Sequence, residues 1–217
     1  MFEASVEVYY KEMQNQIEYK EGYTPTLSDP ESAFVFGKGW SYGAEWYVNK
    51  SRGRWTGWIG YTLSWTWRQF PQINNGEKYP AKYDRRHDIS VVSTYELNKH
   101  WKFSAVFVFA TGNATSYPQK FYVVDGVLTQ DYSQINQYRL PPYSRLDLAA
   151  VFTPMRKPRA KLHSYWVFSI YNVYNRMNPY FIYFDQTGSA YDGTLKVQAK
   201  QVSLFPILPS VSWNFHF

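Results

Sequence analysis

The chain has 217 residues, no cysteine and a net charge of +6, with 23 Lys and Arg against 17 Asp and Glu. The missing thiols exclude disulfides, thiolate metal sites and cysteine nucleophiles, and the cations are scattered, with small groups at Arg85-Arg86 and in MRKPRAK (155–161), rather than gathered into the footprint of a nucleic-acid binder. Aromatic residues make up 21% of the chain, yet mean hydropathy is −0.49 and no apolar run reaches 18 residues, which excludes a transmembrane helix.

From its first residues the chain alternates. ASVEVYYKEM (4–13) sets Ala4, Val6, Val8 and Tyr10 against Ser5, Glu7, Tyr9 and Lys11. This charged opening has no apolar centre, so it is not a secretory signal; export would place the signal in a longer precursor. SYGAEWYVN (41–49) opposes Tyr42, Ala44, Trp46 and Val48 to Gly43, Glu45, Tyr47 and Asn49. WTGWIGYTLSWTW (55–67) gathers Trp55, Ile59, Tyr61, Leu63, Trp65 and Trp67 on one face. DISVVSTYEL (88–97), WKFSAVFVFA (101–110), RLDLAAVFT (145–153), SYWVFSIY (164–171) and PSVSWNFHF (209–217) repeat the pattern. A period of two is the signature of a strand with two different environments on its faces. No segment carries a 3.6-residue period with helix caps. The sequence therefore predicts an all-β antiparallel meander of about eight strands, each of roughly the nine to eleven residues or longer that a tilted strand needs to cross a bilayer.

The connections alternate as well. Residues 49–54, 97–100 and 153–161 are short, whereas 20–34, 69–86, 112–143 and a stretch from Asn178 to about Leu204 are long and rich in Gly, Pro, Asn and Tyr. A meander crossing a slab has tight turns on one side and large loops on the other. The polar face carries Glu7, Glu45, Arg54, Arg68, Asp88, Glu96, Lys102, Arg145 and Asp147. Those charges are costly in a dry core and cheap in a wet lumen. Tryptophans near strand ends, at Trp46, Trp55, Trp67, Trp101 and Trp213, suit the two aromatic edges of a membrane band. The reading is a transmembrane β-barrel wall with its apolar face toward lipid; a soluble β-sandwich binding module is the competing fold.

Candidate chemistry is sparse. The four histidines share no ligand spacing, so no metal, cofactor or catalytic residue is predicted. Arg85-Arg86-His87-Asp88 reads as rim charge, because adjacent strand residues face opposite ways. The loop residues Tyr79, Tyr83, Arg85, Tyr117, Tyr122, Tyr132, Tyr138 and Tyr143 are candidate contacts for a polar ligand such as a glycan or peptide.

Several stretches resemble the C-terminal barrel of TonB-dependent outer-membrane receptors, especially the Bacteroidetes branch that holds SusC-like transporters. They are VEVYYKEMQNQIEY (6–19), GWSYGAEW (39–46), YPAKYDRRHDISVV (79–92), YSRLDLAAVF (143–152), YNVYNRMNPY (171–180) and ILPSVSWNFHF (207–217), in that family's order and across nearly all of residues 1–217. The resemblance implies the last third of a barrel of about 22 strands, with the plug and N-terminal domains outside this chain. It implies nutrient uptake in a Gram-negative outer membrane. It also implies as partners outer-membrane lipid, the rest of the barrel and plug, TonB through that plug, the barrel-assembly machinery and a SusD-like surface lipoprotein. Trp213, Phe215 and Phe217 then form the C-terminal assembly signal. The departure is the strand number, which also suits a self-contained small barrel with an adhesive or structural role. Such an interior is packed with side chains; Gly43, Gly60, Ser64, Ser90, Ser104, Ala149 and Ser169 favour the gently curved wall of a wider lumen.

Overall fold

The computed structural model describes residues 1–20, 31–124, 127–132, 134–155, 163–189 and 192–216. Its strands in chain order are β1 (Phe2–Tyr19), β2 (Phe34–Lys50), β3 (Trp55–Gln69), β4 (Tyr79–Pro80), β5 (His87–Glu96), β6 (Trp101–Ala110), β7 (Ala114–Thr115), β8 (Lys120–Val124), β9 (Val127–Asp131), β10 (Tyr138–Arg139), β11 (Tyr143–Phe152), β12 (His163–Tyr171), β13 (Pro179–Thr187), β14 (Lys196–Ser203) and β15 (Leu208–His216). Eight of them form one antiparallel sheet in the order β1-β2-β3-β5-β6-β11-β12-β15, with β4 added beside β3. Among the described residues no ladder joins β1 to β15, so the sheet is open and each end strand offers an unpaired edge. No described helix is long and apolar enough to cross a membrane, a fact that says nothing of strands.

The two ends of the sheet differ as the connection lengths predict. At one end lie the turns 51–54 and 97–100 and residues 153–155, beside both Phe2, opposite Lys50, and His216, opposite His163. These turns are built from their own side chains. Asn98 Oδ1 accepts the backbone N–H groups of His100 and Trp101 at 2.8 and 2.9 Å, an Asx turn that closes β5 onto β6. Lys50 Nζ donates to the carbonyls of Arg52, at 2.7 Å, and Trp55.

The far end is more ordered than its loop-like composition predicts. β8 and β9 form one hairpin, β13 and β14 another, and β7 pairs with β10. Here also lies the small core: Val35, Phe70, Ile73 and Tyr79, with Ile135 packed against them. Asparagine amides hold these segments by copying the backbone. Asn178 accepts Ser144 N–H and donates to its carbonyl, both at 2.9 Å. Asn74 treats Ile135 the same way, at 2.7 and 3.2 Å.

One strand departs from strict alternation. In β1 the apolar positions are even through Tyr10 and odd at Ile17 and Tyr19. The register changes between Met13, opposite Gly39, and Gln16, opposite Gly37, with Asn15 at φ 52°. This bulge admits one extra residue and returns the apolar side chains to the same face.

That face is bare. Val8 is 81% exposed, Ile59 52% and Val211 61%, and no outward apolar side chain of the eight-stranded sheet is buried. No second sheet covers it among the described residues. Its aromatics pack against one another: Tyr10 stacks on Tyr42 and Tyr42 on Trp65 toward the loop end, while Trp101 lies tilted against Phe152 and Trp166 stacks on Trp213 toward the turn end. The opposite face is polar, with hydroxyl pairs Ser41–Thr66, Thr94–Ser104 and Ser169–Ser210. Glu7 stands directly opposite Glu45 on it, a like-charge pair that water must screen.

Candidate functional site

The loop end of the sheet is organised around one carboxylate. Asp84 is 2% exposed; its Oδ1 accepts Thr66 N–H at 2.6 Å, and its Oδ2 pairs with Arg86 at 3.4 Å and with Arg139 more closely. Arg139 also donates to the Asp84 carbonyl, which ties β10 to the segment after β4. Arg86 donates to the Ser64 carbonyl at 2.7 Å and lays its guanidinium over Trp65 at 4.4 Å. Burial pulls the Arg86 pKa below its ordinary value, against the opposing pull of Asp84. The charge run that reads as rim residues is thus divided: Arg86 and Asp84 are structural, while Arg85 turns elsewhere. His87 has neither Asp84 nor Asp88 as a partner; its Nδ1 shares a hydrogen bond of 2.8 Å with Tyr61.

Beside this anchor is a cavity of about 680 Å³, lined by the polar or amphipathic residues Lys82, Tyr83, Arg85, Asn113, Tyr143 and Tyr180 and by the apolar Leu140, Pro141, Phe181 and Ile182. Three separate loop segments and β13 meet here. Gly112 permits the meeting, since a Cβ at that position would stand 1.6 Å from the Leu140 carbonyl oxygen. Arg85 Nε donates to Asn113 Oδ1 at 2.6 Å, and its Nη1 lies 3.7 Å from Asp88. Tyr143 accepts a hydrogen bond from Arg145 at 2.9 Å, as does Tyr171. A second cleft, of about 620 Å³, sits by the β1 bulge and is lined by the amides of Gln14, Asn15, Gln69 and Asn75 around Phe36.

The eight candidate ligand contacts separate into groups. Tyr83, Arg85 and Tyr143 converge on the 680 Å³ cavity. Tyr117 and Tyr138 face each other at 5.4 Å, with Tyr117 also edge-on to Phe184, and burial raises the Tyr117 pKa. Tyr122 and Tyr132 are exposed on and beside the β8–β9 hairpin, Tyr132 donating to Gln130 at 2.6 Å. Tyr79 is 4% exposed and belongs to the small core, so it has almost no surface to give a ligand. Trp213 packs at a tilt against Phe215, ring centroids 4.7 Å apart, on the apolar face, and Phe217 lies outside the described residues. Lys82, Asn113 and Tyr180 escape a reading of the sequence, because no local pattern tells which of many loop residues meet in space. Among the described residues no group of three or more His, Asp and Glu is placed to hold a metal ion.

No protein-family model matches this chain, and no curated protein and no solved structure matches it.

Proposed function

We propose that this chain is a C-terminal portion of the β-barrel wall of a TonB-dependent outer-membrane receptor of the SusC-like branch, serving nutrient uptake. The observation that carries the reading is the bare apolar face. A sheet that exposes Val8, Ile59 and Val211 to water presents a patch far larger than a soluble monomer tolerates. Lipid removes that cost, and aromatic side chains at both ends of the face suit the two interfaces of a bilayer. The polar face, with Glu7 opposite Glu45, belongs to a water-filled lumen. Short turns at one end and elaborated loops at the other fit the periplasmic and outer sides. The unpaired edges of β1 and β15 call for further strands, because hydrocarbon leaves no water to satisfy their backbone groups. The specific family rests on the stretches noted above and their order along the chain.

In that family the outer loops capture a scarce nutrient, and energy delivered through TonB displaces the plug so that the ligand passes inward. The wall contributed by this chain frames the lumen and supplies part of the outer binding surface; no step of catalysis is assigned to it. Trp213, Phe215 and Phe217 act as the barrel-assembly signal, and a SusD-like lipoprotein covers the loop end. The test is an immunoblot of outer membranes with an antibody to residues 207–217, run with and without heating. The reading predicts a heat-shifting band near or above about 100 kDa, the size of a barrel of about 22 strands with its plug. A heat-shifting band at the 25.7 kDa of this chain alone means a self-contained small barrel, and a soluble, heat-insensitive band means a soluble module.

A further inference from the structure

We propose that the 680 Å³ cavity at the loop end binds an acidic sugar, a carboxylate-bearing oligosaccharide. This deepens the receptor reading by naming the ligand class, and it rests on that reading only for its place in uptake. The size lies within the roughly 300–1,000 Å³ of ordinary small-ligand sites.

The charge balance is one-sided. Among the described residues no Asp or Glu lines the cavity, whereas Lys82 and Arg85 do. Asp84 is taken by Arg86 and Arg139. Among the described residues Asp88 engages only Arg85, at 3.7 Å and partly exposed, where such a pair is weak. Lys82 has no hydrogen bond or ion pair among the described residues. Arg85 is held by Asn113 through Nε, which leaves a planar, oriented fork suited to a carboxylate.

The aromatic groups argue for a ring rather than a bare anion. Tyr83 is 79% exposed and Tyr180 63%. They are flat, amphipathic surfaces on different segments, of the kind that accept the apolar face of a pyranose and hydrogen-bond its rim. Neutral sugars would gain the stacking but leave Lys82 uncompensated. A simple carboxylate would gain the charge but leave the tyrosines in water.

The experiment uses the full-length polypeptide carrying this sequence, purified in detergent, and calorimetric titration with trigalacturonate, its methyl ester, and citrate. The proposal predicts binding of trigalacturonate, weaker binding of the neutral ester by roughly ten- to hundredfold, the range of a charge-assisted hydrogen bond, and no saturable binding of citrate. Lys82→Gln should narrow the gap between acid and ester, leaving the part that Arg85 supplies, and Tyr83→Ala should weaken both sugars together. Both side chains are exposed, and circular dichroism checks that the variants keep their strands. Equal affinity for acid and ester, binding of citrate as tight as that of trigalacturonate, or no binding of any probe overturns the proposal. Heat-modifiability is read on the same sample: a protein that inserts and binds no acidic sugar sinks this inference alone, and one that does not insert but binds the sugar sinks the wall reading alone.

Discussion

Ile59→Arg separates lipid from water as the surroundings of the apolar face. Ile59 is 52% exposed, sits inside the band bounded by Trp55 and Trp67, and pairs with Val48 and Val91 across the neighbouring strands. On a water-exposed surface such a change costs within about 0.5 kcal/mol. On a lipid-facing strand near the bilayer midplane it costs about 2–4 kcal/mol, a shift of roughly thirty- to several-hundredfold in the folding constant. Ser90→Arg is the control, since Ser90 lies on the polar face opposite Gly60, where room and water let the guanidinium extend at a cost below about 1 kcal/mol. The assay is equilibrium unfolding by urea in phospholipid vesicles, followed by tryptophan fluorescence. Equal, small effects of the two substitutions would refute the argument that lipid covers this face.

Asp84→Asn removes the carboxylate that Arg86 and Arg139 share; breaking a buried pair in this way costs about 3–5 kcal/mol. Limited proteolysis should then cut within residues 70–86 and 111–142 under conditions where the parent resists. Gly112→Ala drives a Cβ into the Leu140 carbonyl and should abolish sugar binding at the cavity while the eight-stranded sheet persists by circular dichroism. The Asp185 carboxylate, held below its ordinary 3.8 by hydrogen bonding and charge from Lys200, is a depressed acid. Its contribution is full above pH 3.8 and is lost as the pH falls through its lowered value, so protection of the β13–β14 hairpin amides, taken relative to their intrinsic exchange rates, should fall only below about pH 4, and Lys200→Gln should remove that acid-dependent step. Tyr117, raised by burial, contributes fully below pH 10 and loses that contribution as the pH rises through its raised value. Absorbance titration should show a late-ionising tyrosine component that Tyr117→Phe diminishes.

The fold was legible because period-two alternation is a local signal. Trp55 through Trp67 announces both faces of β3 without reference to any other strand. The bulge at Asn15 was harder, since the shift from even to odd apolar positions looks like faded alternation until the register with β2 is known. The loop end was least legible. Its Asn and Tyr residues suggest ligand contact by composition, yet Asn74 and Asn178 serve as substitutes for backbone partners and Tyr79 fills a core. Tyr83, Arg85 and Tyr143 were visible as types, but their convergence on one cavity depends on long-range pairing, such as Arg139 with Asp84, that no spacing encodes.

The most direct test of the account exploits the absence of cysteine. Single cysteines placed in turn at residues 57–67 of β3 are labelled with an environment-sensitive fluorophore, and the protein is reconstituted into vesicles containing brominated lipid. The account predicts quenching that alternates with period two, strong at odd positions such as Ile59, Tyr61, Leu63 and Trp65 and weak at even positions such as Gly60, Thr62 and Ser64. Uniform quenching, or none at any position, would contradict a strand with one face in lipid and the other in a wet lumen.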